Sequence, residues 1–273
     1  MPEGGSIGGM DTGLGGKRVL ITGGASGIGL GISKILAKEG MHIAIASRNP
    51  DPEAKKIIEC ENVSCCLIKA DVSIEADVSR MVNEAEEKLG AIDCFVNNAA
   101  WTWHQPVTHI TSESFQNTID TNLRSCLLAC KEIGKRMIAR RRGAIVIIGS
   151  TVTHCAAYSE ASYRISKMGL KMYMETLALE LAPYNIRVNM VTPGHFVTRM
   201  TSGISEEAVE KLRAVTPYGR SGEPEEIGYA AAFLLSDKLS AFCCASNIVV
   251  DGGLTINPLI PMQREDLQKL NAL

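Results

Sequence analysis

No stretch of this 273-residue chain approaches the run of about 18 apolar residues that a membrane-spanning helix needs; Tyr229 to Leu235 is among the longest. There is no basic excess either. Lys and Arg number 28 against 30 Asp and Glu, a formal net charge of −2, which argues against a nucleic-acid binder. The nine cysteines, at 60, 65, 66, 94, 126, 130, 155, 243 and 244, are odd in number and contain no C-x-x-C pair. Cys126 and Cys130 stand at i, i+4 without a His or a second pair to complete a metal set, so no metal site is expected. Small buried thiols in a reducing cytoplasm account for them best. The start of the chain lacks a basic-then-apolar signal, and Met1–Gly16 carries seven glycines, so a flexible leader is expected there.

Apolar residues are 45% and charged residues 21%, the composition of a soluble globule with a large core. From Arg18 onward, short β-rich runs alternate with helical stretches. The strand candidates are Arg18–Thr22, His42–Ala46, Cys65–Lys69, Ile92–Asn97, Ala144–Gly149, Ile186–Thr192 and Asn247–Val250. Most are continuously apolar, as in a parallel sheet covered on both faces. Helical stretches fall near Ile28–Glu39, Pro52–Glu59, Glu75–Leu89, Ser112–Ala139, Ser159–Leu181 and Pro224–Leu235. The rhythm predicts one doubly wound α/β domain with a seven-stranded parallel sheet and right-handed crossovers. The segment Thr198–Gly222 has weak strand signal and a short helix near Ser205–Ala214, and is the longest candidate lid.

The first strand runs into Gly23-Gly24-Ala25-Ser26-Gly27-Ile28-Gly29, and a helix follows. Glycines admit positive φ and close backbone approach, and the helix start turns its N–H groups toward an anion. This Thr22-Gly23-x-x-x-Gly27-x-Gly29 turn resembles the cofactor fingerprint of the short-chain dehydrogenase/reductase family. The resemblance continues through Asp71-Val72, Asn97-Asn98-Ala99-Ala100, Tyr163-x-x-x-Lys167, Pro193-Gly194-x-x-x-Thr198 and Val250-Asp251-Gly252-Gly253, covering about residues 17–255. Ala100 and Val197 depart from the pattern, which usually has Gly and Asp there. The resemblance implies a leader at 1–16, a Rossmann catalytic domain at 17–255 and a tail at 256–273. It also implies cofactor contacts from Gly23, Ser26, Gly27, Ile28, Gly29, Ser47, Arg48, Asp71, Val72, Asn98, Ala99, Tyr163, Lys167, Pro193, Gly194, Phe196 and Thr198.

In a Rossmann half an acid about 20 residues past the glycines binds the NAD ribose. Here that place, just past the second strand, holds Ser47 and then Arg48. No carboxylate is present to repel a 2′-phosphate, and Arg48 can clamp one through its planar fork. A charge-assisted bond is worth about 1.5–3 kcal/mol, so NADP(H) is expected over NAD(H) by roughly 10- to 100-fold.

Tyr163 and Lys167 stand at i, i+4 and so share one helical face. A cation about 4 Å from a phenol, at an effective dielectric near 20, contributes about 4 kcal/mol, or roughly three pKa units downward. Ser150 ends the fifth strand, 13 residues before Tyr163, the separation usual between the family's Ser and Tyr. A hydroxyl there can donate to a substrate carbonyl oxygen as charge develops. Asn122, within Thr121-Asn122-Leu123, resembles the family's fourth catalytic member, which bends a helix and holds a water beside the lysine. These four residues imply reversible hydride transfer between a nicotinamide and a secondary alcohol or ketone, with no metal. An NADP(H)-binding sensor or scaffold without turnover is the alternative, but such a protein would be expected to lose part of the quartet.

Substrate choice should come from the loops, with Trp101, Trp103, His154, Tyr158 and His195 as candidate lining residues. Such residues suit a sugar, a polyol or a cyclic ketone. The family also holds reductases of 3-oxoacyl groups on an acyl-carrier protein. Arg136, Arg140, Arg141 and Arg142 read either as cations at a helix end or as a dock for that acidic carrier. The helix Ser159–Leu181 bears two apolar stripes, Ala161/Ile165/Met168/Met172/Leu179 and Leu170/Met174/Leu177/Leu181. One more than the sheet requires implies a homodimer or homotetramer. The tail beginning at Leu254 is expected to run extended, then to form a short amphipathic helix over Gln263–Leu273 and help wall the cleft.

Overall fold

The computed structural model describes residues 6–7, 10–154, 156–198 and 205–257. Seven parallel strands form one sheet: β1 (Arg18–Thr22), β2 (His42–Ser47), β3 (Cys65–Lys69), β4 (Cys94–Asn97), β5 (Gly143–Ile148), β6 (Ile186–Pro193) and β7 (Asn247–Val250). Their order is β3-β2-β1-β4-β5-β6-β7. The chain therefore reverses its direction of winding between β1 and β4, and ligands of open α/β sheets bind at the carboxyl ends there. β6 is buried at all eight residues because helices cover both faces.

One face is covered by α1 (Gly27–Lys38), α2 (Pro52–Glu59) and α8 (Pro224–Leu235). The other is covered by α3 (Glu75–Leu89), α5 (Ser125–Arg140) and α6 (Ala161–Leu181). A short α4 (Ser112–Ile119) leads into α5, and α7 (Glu206–Val215), capped by the Ser205 hydroxyl at 3.2 Å from the Ala208 amide, is the short helix expected after Thr198.

Four expectations need correction. The stretch Ser112–Ala139 is not one helix; a π turn over Asp120–Arg124 interrupts it and turns Asn122 inward. α6 starts at Ala161 rather than Ser159, because Ser159 has φ of 62°, which no α-helix tolerates. The glycine-rich leader is not loose throughout. Ser6–Ile7 pairs antiparallel with Met10–Asp11, Leu14 is fully buried, and the buried Thr12 hydroxyl donates to Glu39 at 2.8 Å. Residues 236–238 clamp this segment: the Ser236 hydroxyl donates to the Thr12 carbonyl at 2.6 Å, Lys17 pairs with Asp237 at 2.6 Å, and Lys238 pairs with Asp11. At the other end, Leu254–Ile256 forms one 3-10 turn instead of running extended, because Asp251 accepts from the Thr255 amide at 2.8 Å and its hydroxyl at 2.7 Å. The expected helix at Gln263–Leu273 lies outside the described residues.

α1 and α8 cross where Gly31 meets Pro224. A Cβ on Gly31 would collide with the Pro224 ring and carbonyl. Because backbone cannot yield as a side-chain tip does, Gly31→Ala should destabilise the fold by about 2 kcal/mol or more, read as a lowered urea midpoint at unchanged slope.

Candidate active site

The glycine turn closes on the loop after β4. Gly23 has φ of 69° and Gly27 φ of 52°. A Cβ on Gly29 would strike the Gly23 carbonyl and lie 2.6 Å from the Asn98 amide nitrogen. Asn98 Nδ2 donates to the Thr22 and Gly23 carbonyls at 3.1 and 3.2 Å, and the Thr22 hydroxyl accepts from the Asn98 and Ala99 amides at 3.1 and 3.2 Å. α1 begins within this turn, so its first amides and the positive end of its dipole face the same space. Thr198 reaches back across it, 3.2 Å from where a Gly27 Cβ would stand.

Ser47 Oγ is buried at the carboxyl end of β2 with no hydrogen-bond partner, and Arg48 beside it is exposed. A buried hydroxyl left unpaired costs about 1–3 kcal/mol, which a ligand acceptor or donor there would recover. Val72 is buried, and Asp71 spends one carboxylate oxygen on Ser73, accepting from its amide at 3.0 Å and its hydroxyl at 2.7 Å. The cradle and this orphaned hydroxyl fit a dinucleotide. Phe196 is 4% exposed and packs in the core, bridged to Gly222.

At the carboxyl end of β5, Ser150 stands close enough to the half-buried Tyr163 to act on its phenol. Lys167 is buried, donates from Nζ to the Ile148 carbonyl at 2.9 Å and lies 5.7 Å from the Tyr163 ring centre. The expected lowering of the phenol toward neutrality is not found. Burial pushes Tyr163 up to about 12, against a lowering by the Ser150 hydrogen bond. Burial likewise pulls Lys167 down to about 8. Desolvation outweighs the attraction because the ammonium points at a backbone carbonyl rather than at the phenol oxygen.

Asn122 is fully buried and its side chain spans three elements. Its Oδ1 accepts from the Trp101 amide at 2.7 Å, while Nδ2 donates to the Trp101 carbonyl at 2.9 Å and to Ser166 Oγ at 3.0 Å. Ser166 in turn donates to the Tyr163 carbonyl at 2.6 Å. Ser166 was not singled out from the sequence, although its place inside Tyr163-x-x-x-Lys167 was in view.

The loops sort the remaining candidates. Trp101 and Trp103 stack with ring centres 5.8 Å apart, and Gln105 donates its amide to the Ser159 carbonyl at 2.9 Å, joining the loop after β4 to the one after β5. His195, after β6, is half-buried with Nε2 lacking a partner; burial lowers its pKa and Arg213 lowers it further. It lines a cavity of about 340 Å³ with Phe196, Tyr218, Arg220 and Asp251. Tyr158 is 99% exposed and does not wall the cleft. His154 is exposed too, its ring nitrogen 3.3 Å from the Thr151 carbonyl.

The arginine cluster belongs to the opposite end of the sheet. Arg136 and Arg140 share Glu86 at 3.1 and 3.2 Å, Arg142 faces Asp93 at 3.6 Å, and Arg141 donates to the Pro183 carbonyl at 3.0 Å. β5 starts at Gly143 beside them and ends near Ser150, a span of roughly 20 Å at about 3.3 Å per residue. Arg136 and Arg140 are engaged within the fold, while Arg141 and Arg142 remain exposed at its surface.

The lysine carries a pH signature. Its folded pKa lies below the unfolded value, so between pH 8 and 10 the unfolded chain binds more protons and stability rises with pH. Relative to Lys167→Met, the native protein should gain of order 2 kcal/mol across that window in denaturant titrations. Above pH 10 the raised phenol reverses the slope, since the unfolded tyrosine ionises first.

Residues 23–255 match the family model described as enoyl-(acyl carrier protein) reductase. The chain is 34% identical over 248 residues to the 3-oxoacyl-[acyl-carrier-protein] reductase FabG of Chlamydia pneumoniae, covering 90% of this chain and all of that protein. It is 36% identical over 240 residues to carbonyl reductase family member 4 of Xenopus tropicalis, covering 88% and 98%. Among solved structures, levodione reductase superposes with a TM-score of 0.85 at 28% identity over 89% of this chain and 98% of that one. A putative gluconate dehydrogenase from Agrobacterium tumefaciens gives 0.84 at 31% identity, over 89% and 97%. The chain thus belongs to the short-chain dehydrogenase/reductase family, as an oxidoreductase acting on CH–OH and C=O groups.

Proposed function

We propose that this enzyme is an NADP(H)-dependent reductase of a compact cyclic or hydroxylated ketone, and that Tyr163 is its proton donor. The observation that carries the reading is the Ser150–Tyr163 contact at the carboxyl end of β5, with Lys167 buried beside it. A bound nicotinamide supplies the hydride and, when oxidised, a positive charge near the phenol. The chain supplies the rest. A phenol held at about 12 is protonated at neutral pH, the form needed to give a proton to a carbonyl oxygen as the hydride reaches its carbon. Ser150 orients that oxygen by a second hydrogen bond. Lys167, with a pKa of about 8, holds the ribose and can return a proton to the phenol. Asn122 fixes the loop and helix between which these groups stand.

The cofactor preference rests on Arg48 and the orphaned Ser47 hydroxyl. The substrate class rests on the Trp101–Trp103 stack, a flat apolar wall beside hydrogen-bonding groups. It agrees with levodione reductase and carbonyl reductase among the similar proteins. A 3-oxoacyl substrate is the second reading, favoured by the FabG likeness. Assembly into a dimer or tetramer is supported by Ile165, Met168, Met172 and Leu179, which α6 leaves 49–77% exposed on one side. A reducing cytoplasm suits the described cysteines, all free, with burial holding Cys65 and Cys94 up near 12 and inert.

Tyr163→Phe keeps the ring and removes the proton. It should lower kcat by at least about 100-fold with NADPH binding intact, and a loss below tenfold would remove Tyr163 from the role. Arg48→Ala should weaken NADPH binding roughly 10- to 100-fold and spare NADH; equal losses would make Arg48 structural. NADPH oxidation over a panel of cyclic ketones, aldoses and 3-oxoacyl esters separates the two substrate readings.

A further inference from the structure

Arg164 directly follows Tyr163 and has no task in the chemistry above. Its side chain is only 15% exposed. Nη1 donates to the Val152 carbonyl at 2.7 Å, while Nε and Nη2 donate to a single oxygen of Glu160, Oε2, at 3.0 and 2.7 Å. The other oxygen of Glu160 lies 3.8 Å from His104 Nδ1. Val152 belongs to the turn that begins at Ser150. His104 belongs to the loop after β4 that also carries both tryptophans. The guanidinium thus bonds the turn after β5 to the first turn of α6, the Glu160 carboxylate faces His104 of the loop after β4, and the Gln105 amide bonds that loop to the Ser159 carbonyl just before α6.

An i, i+4 ion pair on a helix surface would need no functional account, being worth little in solvent. The bond to Val152 is different, because it leaves the helix and ends on a loop carbonyl two residues from Ser150. The guanidinium fork satisfies both partners at once, a geometry a lysine cannot reproduce.

We propose that Arg164 is a positioning residue that, with Glu160, ties both loops to α6 and holds Ser150 in register with Tyr163. The inference rests on the proposed function for its kinetic consequence but not for the tie itself. The phenol is also electrically coupled to the pair: Glu160 raises its pKa and Arg164 lowers it. The remaining groups facing Tyr163 are Ser150 from the β5 turn and Lys167 one turn along α6. Loss of Arg164 therefore moves the alkaline limb of the rate profile upward.

The chain has only two tryptophans, Trp101 and Trp103, and both lie in the tied loop, so their fluorescence reports the tie without turnover. Arg164→Met, Arg164→Lys, Glu160→Gln and the Arg164→Met/Glu160→Gln double variant are compared with the native enzyme, with folding checked by circular dichroism. Arg164→Met should lower kcat about tenfold or more with NADPH affinity unchanged, since misplacing a reacting group by about 1 Å can cost 100-fold. Arg164→Lys should recover part of that loss, and the double variant should be no worse than Arg164→Met alone. Acrylamide quenching of the tryptophans should rise in Arg164→Met and Glu160→Gln. Quenching unchanged from the native protein, kcat within twofold, or losses that multiply in the double variant would each overturn the inference. A native enzyme inactive on every carbonyl tested would instead overturn the proposed function, and quenching alone would then decide the tie.

Discussion

The approach of two backbones at the switch point governs the rest of the molecule. Gly29 sits against the Gly23 carbonyl with no room for a side chain, and Asn98 bonds both neighbouring carbonyls. That junction shapes an anion cradle and fixes where the loop after β4 emerges. The loop carries Trp101, whose amide and carbonyl are both held by Asn122. Asn122 passes the constraint through Ser166 to the backbone of Tyr163. Hydrogen bonds joined through the backbone from Ala99 to Trp101 thus link the glycine cradle to the proposed proton donor. Each link is buried or half-buried, where an unmade bond costs more than a made one contributes.

Burial has a second effect at the same place. Tyr163 and Lys167 move in opposite directions for one reason, the cost of placing charge in a low dielectric. Their folded pKa values lean toward a neutral pair, a protonated phenol beside an amine that gives up its proton readily. Such a pair exchanges protons without stranding a charge. The spacing Tyr163-x-x-x-Lys167 alone suggests the opposite, an ammonium pulling the phenol down, because a sequence shows which groups are neighbours and not which way they face.

The same distinction explains what was legible. All seven strands and the helices α1, α2, α3 and α8 follow from apolar runs, caps and glycines to within a residue or two. So does the cradle, since Gly23, Gly27 and Gly29 state a backbone requirement in their identity. The π turn was not legible, because one extra residue leaves the 3.6 period almost intact over Ser112–Ala139. Tyr158 lies in solvent and Phe196 in the core, environments that motif spacing does not reveal. The arginines at 136–142 read as a patch, yet each finds a carboxylate or carbonyl from an element distant in sequence. Arg164 and Glu160 could have been found as an i, i+4 pair; the bond to Val152 could not.

The clamp on the early segment bears on the order in which the chain assembles. Thr12, Asp11 and Lys17 receive their partners from Ser236, Lys238 and Asp237, about 220 residues later. During synthesis from the amino end, β1 to β3 and their helices can collapse onto one another early, but this segment cannot settle until the turn after α8 has emerged. The bonds from Ser236 to Thr12 and from Lys238 to Asp11 span 224 and 227 residues, so their loop closure is a late and slow event. The interval before closure is the stage at which a nascent chain of this sequence most needs shielding from its neighbours.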